Sequence, residues 1–206
     1  MALFVTNKSQ VAEHPVFLSI LEDLPGGVLV KVDARVPTGL HTLYAGTPIA
    51  TNATSGEFMF MKTAVVATAK AAGATRIVVE APHPFKAGEI VGFDKLTGIM
   101  GAACTSTITA VAATYIATAL TEYALVKHYV VYQANADGAT APKFRPYALL
   151  KDSVVVREPD GKTCYNVYGS AVARGSVLTS NFKWGYTFDV KNRLEDRLRF
   201  VNKGNK

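Results

Sequence analysis

The chain has 206 residues, 49% of them apolar and 18% charged, and a formal net charge of +6. These proportions exclude a disordered chain, and the length suits one large domain or two small ones with a substantial core. Abundant Val, Thr and Ala lean the composition towards β structure.

Residues 1–13 show no periodicity and read as an arm. In "PVFLSILEDL", Val16, Phe17, Ile20, Leu21 and Leu24 recur at helical spacing behind Pro15, which predicts a short helix over 15–24 ended by "PGG". "VLVKVDARV" then alternates, with Val28, Val30, Val32, Ala34 and Val36 on one side, and predicts a half-buried strand. "LHTLYAGTPIA" is a further extended piece, and "TNATSGE" is a loop.

From 60 to 135 short strand-like runs follow one another: "TRIVVEA", "IVGF", "TGIMGAA", "STITAV", "TYIATAL" and "HYVVYQA". "KTAVVATA" suits either helix or strand, and "PHPFKAGE" turns at Ala87-Gly88. Residues 96–121 carry no charge and are long enough for a membrane span, yet their seven threonines alternating with Ile, Ala and Val read as buried strands. Short strands at this spacing predict a small barrel or sandwich.

"NADGATAP" (135–142) marks a boundary. Beyond it "YALLKDSVVVRE" and "TCYNVYGSAVA" read as strands joined at "PDGK", with Arg174-Gly175 turning the chain. "FKWGYTFDV" places Trp184, Tyr186, Phe188 and Val190 on one face of a strand, which reads as core or, in a sharper reading, in part as an anchor for a partner. Asn192 and Glu195 resemble a capping box ahead of a terminal helix bearing Leu194, Leu198 and Val201. From residue 191 six cations (Lys191, Arg193, Arg197, Arg199, Lys203, Lys206) face two acids (Glu195, Asp196), so a net +4 of the +6 lies in a basic tail. Such a tail attracts an acidic surface, and no nucleic-acid-binding fingerprint accompanies it.

No catalytic, cofactor or metal constellation emerges. Ser170 has Tyr168 and Val172 where a nucleophile elbow needs glycines. Cys104 and Cys164 make no metal or CxxC spacing and read as reduced, buried thiols, with a disulfide left open. His14, His41, His83 and His128 are scattered, and His83 between two prolines reads as a turn residue with a satisfied ring. Glu80 and Glu89 flank the "PHPFKAG" turn, where facing each other and lying in a solvated loop account for them equally well, and the glycines make no phosphate loop. The start of the chain lacks a signal-peptide pattern.

The order of "LYAGTPIA" and, much later, "YALLKDSVVVREPDGKTCYNVYGSAVARGSVL" resembles tailed-phage head decoration and auxiliary capsid proteins. The carrying segments are Gly46 to Ile49, Ala148 to Asp152, Pro159 to Lys162 and Val167 to Val172. "HPFKAGEIVGF" and "STITAVAATYIATAL" resemble inserted β regions of head-fibre proteins, including those of crAss-like phages. The resemblance implies a mainly β, decoration-protein-like barrel or sandwich that is discontinuous (25–60 and 142–190), with an inserted β domain (61–135). Around these stand an N-terminal arm and short helix (1–24) and a basic tail (191–206). It implies no catalysis and no cofactor, a place on the outer capsid surface, and synthesis in the bacterial host cytoplasm. The implied partners are the major capsid protein and copies of itself, as a trimer or as lattice neighbours; membrane is excluded and nucleic acid disfavoured. Capsid contact falls on the arm, including Phe4 and Val5, and on Trp184, Arg193, Arg197 and Arg199. The alternatives are a head-fibre or glycan-binding module and a nucleic-acid-binding β-barrel.

Overall fold

A computed structural model describes residues 15–32, 36–37, 40–52, 55–94, 105–119, 123–136, 142–157 and 166–202. Its first strands are β1 (Phe17–Asp23), β2 (Val28–Lys31), β3 (Thr42–Leu43), β4 (Pro48–Thr51) and β5 (Phe58–Phe60). The middle of the chain supplies β6 (Thr63–Val65), β7 (Arg76–Val78), β8 (Ile90–Asp94), β9 (Ser106–Ala112), β10 (Tyr115–Thr118) and β11 (Val130–Gln133). There follow β12 (Arg145–Leu150), β13 (Val154–Val155), β14 (Val167–Gly169), β15 (Ala171–Leu178), helix α1 (Phe188–Leu194) and β16 (Leu198–Val201). The protein is mainly β, as its composition predicts.

An eight-stranded sheet runs β1-β15-β12-β4-β5-β2-β14, with β16 also on β15. β14, at the far end, passes into β15 through Ser170 alone. The sheet must therefore curl until one continuous strand run borders both of its sides, which gives it a barrel-like form. Alternation along the strands fills its two faces separately. Val28, Val30, Ile49, Phe60, Leu150 and Val167 share one core, whereas Ala50, Leu149, Val172 and Val177 pack outward against Val190 and Leu194 of α1. The corner at 169–171 needs small residues: a Cβ on Gly169 would stand 2.7 Å from Leu150 Cδ1. On either side of it, the carbonyls of Ser170 and Ala171 accept from Lys151 N and Leu24 N.

Residues of β6–β11 form a second sheet in the order β6-β11-β8-β9-β10-β7, antiparallel throughout. A bridge between Val66 and Val79, and the bond from Ala67 N to Val78 O (2.9 Å), bring its two ends together. Ala64, Ile77, Phe85, Phe93, Ile108 and Ile116 are enclosed within it. β9 and β10 take most of the described part of the uncharged stretch, residues 105–119. Ile108 points in, and Thr107 and Thr109 face solvent, so the described part of that stretch is half-buried strand. Among the described residues no helix is long and apolar enough to cross a membrane.

Five expectations are corrected. Residues 17–23 are strand β1, not helix. Its register on β15 slips between Phe17 and Ser19, between Ile20 and Glu22, and between Glu22 and Asp23. The first two shifts each add a residue to β1, Leu18 and Leu21, and the third adds one to β15, so the apolar positions Phe17 and Ile20 fall three apart and imitate helical spacing. Arg174 and Gly175 lie inside β15 instead of turning the chain. Gly175 is small because a Cβ there would run into the Ser19 carbonyl of β1.

Residues 182–190 are not a strand. Gly185 takes φ +70 and breaks the extension, and α1 begins at Phe188. The terminal helix is correspondingly earlier than Asn192: Thr187 is its cap, accepting from Val190 N, and it ends at Leu194. Leu198 and Val201 belong to β16, which lies parallel to Gly175–Leu178, so residues 191–202 are folded into helix and sheet rather than forming a tail. Elsewhere "KTAVVATA" contributes strand β6, "YALLKDSVVVRE" is interrupted at 151–153, and the turn at Ala87-Gly88 is present. Cys104, Cys164, "TGIMGAA", "PDGK" and residues 1–13 lie outside the described residues.

The stretch 182–188 fastens one sheet to the other. Trp184 Nε1 donates to Pro82 O (2.7 Å), Thr63 Oγ1 donates to Gly185 O (3.4 Å), and Phe188 N donates to Asp94 Oδ2 (2.5 Å). Beside it, Lys62 pairs with Glu89 at 2.5 Å, and Gln133 Nε2 donates to the same carboxylate oxygen at 3.2 Å.

Candidate partner-binding surface

β12 carries the surface that best combines aromatic and cationic groups. Its pairing with β4 is irregular between Pro146 and Ala148, and Tyr147 at that irregularity is 37% exposed. β12 stays beside β15 only at Leu149 and Leu150, opposite Val172 and Ala171; from Gly175 onward β15 pairs with β16 instead. Arg197, immediately before β16, sits where the two strands part. Its carbonyl accepts from Gly175 N (3.2 Å) and its Nη2 donates to Tyr147 O (3.2 Å). The guanidinium carbon lies 5.6 Å from the Tyr147 ring centroid, within cation–π range. Phe58 of β5 packs on the same ring at 5.7 Å between centroids. Arg145, two residues before Tyr147, is exposed.

The residues expected to contact a partner are dispersed. Trp184 is a core residue, 3% exposed and edge-on to Tyr44 at 5.4 Å, so its ring offers no surface. Arg193 is exposed on α1 but paired with Asp189 at 2.7 Å, one turn away. Arg197 belongs to the aromatic cluster, and Arg199 is exposed on β16 opposite Ser176. Phe4 and Val5 lie outside the described residues. Arg145, Tyr147 and Phe58 were missed. The signal for two of them is "PKFRPY" (142–147), in which cations and aromatics interleave.

A second exposed feature is the edge strand β1. Its bulges leave Leu18 54% and Leu21 75% exposed, beside one strand only. Glu22 and Asp23 at its end are tied to Arg174 (3.9 Å) and Lys151 (2.6 Å).

The chemically suggestive groups are engaged structurally. His83 is buried, its Nδ1 accepting from Phe85 N (3.3 Å) and its Nε2 facing Ala112 O at 2.7 Å. An N–H pointing at Nδ1 leaves the ring proton on Nε2, and burial holds the imidazole below its ordinary titration range. Glu89 faces Lys62 rather than Glu80. Burial likewise lowers the affinity of the Lys70 amine for its proton, and the amine donates to Tyr123 O (2.9 Å). A shallow depression lined by Tyr44, Gly46, Phe182 and Trp184 has no interior room for a ligand. Among the described residues no three His, Cys, Asp or Glu gather as metal ligands.

No family profile, no curated protein and no solved structure matches the chain.

Proposed function

We propose that this chain is a non-enzymatic virion structural protein, an auxiliary or decoration protein that binds the outer surface of a tailed-phage capsid and stabilises the shell. The observation that carries the reading is the arrangement of the segments behind the resemblance. Residues 46–49, 148–152 and 167–172 are far apart in sequence, yet they lead into or lie within β4, β12 and the β14–β15 run. Of those strands β4, β12 and β15 are successive neighbours in the curled sheet, and β14 lies at its other end on β2. A second support is the supply of contact surface: an exposed apolar edge at β1 and an Arg–Tyr cluster at β12. Edges accept strands from other chains, and Arg and Tyr are the side chains on which binding energy concentrates. Many copies on a symmetric lattice would multiply modest individual contacts.

The test is co-sedimentation of the purified protein with expanded empty shells of the parent phage. Saturation at a fixed number of copies per capsid subunit is expected. Replacing Leu18 and Leu21 by Asp should lower occupancy at least several-fold. Absence of the protein from sedimented shells, and from virions examined by mass spectrometry, would exclude the reading.

A further inference from the structure

We propose that Arg145, Tyr147 and Arg197 form a recognition site for carboxylates, and that its ligand is an acidic segment of a partner protein. This deepens the proposed function by naming the chemistry that one contact surface would read. Several cations of this protein already have acidic partners: Lys31 with Glu57, Lys62 with Glu89, Lys151 with Asp23, Arg174 with Glu22 and Arg193 with Asp189. Among the described residues no carboxylate pairs with Arg145 or Arg197. Both flank Tyr147, Arg145 at about 7 Å along the strand and Arg197 against the ring itself.

Arg197 is held in place before any ligand arrives. Its place over the Tyr147 ring and its bond to the Tyr147 carbonyl anchor the guanidinium at two points, and one bond uses only one of five N–H donors. A fixed planar fork suits the two oxygens of a carboxylate and loses little freedom on binding. Nucleic acid fits less well. Single strands bind by stacking bases on open aromatic faces, but Arg197 lies over Tyr147 and Phe58 packs against the same ring. Phe58 is itself half-buried against the inner core of the curled sheet. The arrangement therefore presents cationic edges rather than bare rings.

The experiment measures binding of a fluorescent ten-residue polyglutamate peptide to the full chain at low ionic strength by anisotropy. Arg145→Glu should weaken binding by about tenfold or more. Arg197→Lys keeps the charge but not the fork, and should weaken it several-fold. Lys127→Glu, exposed in the turn before β11, should change it less than twofold. Thermal transitions confirm that each variant is folded, and Arg145→Gln replaces the charge reversal if folding suffers. Equal losses from Lys127→Glu and Arg145→Glu would reduce the effect to net charge and overturn the proposal. Tighter binding of a ten-residue thymidine oligonucleotide than of the peptide would overturn it in favour of nucleic acid. Because no shell is present, peptide binding without shell binding would remove the capsid reading alone, and the reverse result would remove this site alone.

Discussion

His83 shows how a single side chain ties pH to stability here. It is 5% exposed, donates from Nε2 to Ala112 O and receives Phe85 N–H at Nδ1, so a second proton would displace that donor. Desolvation is the largest cause of its lowered proton affinity, and the nearby Lys62 charge adds to it. Below the usual histidine value of about 6.5 the unfolded chain takes up a proton that the folded one still refuses. Stability is therefore expected to be full above that pH, to fall as pH drops through the interval, and to level off below the folded-state value. Melting temperatures between pH 7.5 and 5 test this, with His83→Gln expected to flatten the profile. Parallel profiles for the two proteins would assign the acid sensitivity elsewhere. The satisfied ring was legible in the sequence from two flanking prolines. The identity of its partner was not, because Ala112 lies 29 residues away on β9.

At the scale of elements, the departures from expectation share one cause. Local periodicity was read correctly wherever both faces of a strand met the environment that its pattern demands, as with Val28 and Val30 inside and Leu29 outside on β2. It misled where a neighbouring strand or a glycine overrode it. β1 copies a helical spacing because bulges against β15 shift its phase. The "FKWGYTFDV" segment copies an aromatic strand, but Gly185 reverses the backbone so that Trp184 and Thr187 can reach different neighbours. A Cβ at Gly185 would stand 2.9 Å from Val65 Cγ2 and 3.1 Å from Val130 Cγ2. Gly185→Ala should accordingly cost about 2–4 kcal/mol, combining a positive φ with overpacking, as read from chemical unfolding. A loss below half a kcal/mol would mean that the segment does not fasten the two sheets. Arg193, Arg197 and Arg199 were legible as a cationic cluster, whereas their separation onto helix, connector and strand was not.

For the whole molecule, the decisive region is where the chain enters and leaves the second sheet. Lys62 ends the entry, Gln133 begins the exit, and Glu89 binds both. Lys62 is fully enclosed and Glu89 is 17% exposed, so the pair has lost most of its hydration. Whether such a pair is itself favourable depends on its surroundings, but removing one partner leaves a buried charge uncompensated. Glu89→Gln should therefore cost about 3–5 kcal/mol. Because Lys62 also joins β5 to β6, both sheets should lose stability together, measurable by hydrogen exchange on β4 and on β11. Destabilisation confined to β11 would show that the two cores are energetically separate. Glu89 was visible in the sequence only as facing Glu80 or lying in a solvated loop, since charge pairing across 27 residues has no local signature.

Composition and alternation alone determined that the chain is mainly β, where most of its strands run, and that 167–173 is extended rather than a nucleophile's turn. Those are short-range properties, set by side-chain parity and by the need of small residues for close approach. Tertiary structure alone decided which edges close, that 17–23 is strand, and that Phe58, Tyr147 and Arg197 meet. Each of these depends on a backbone edge or a ring supplied from far along the chain: a strand's hydrogen-bond partner and an arginine's neighbour are chosen in space, where sequence spacing has no influence.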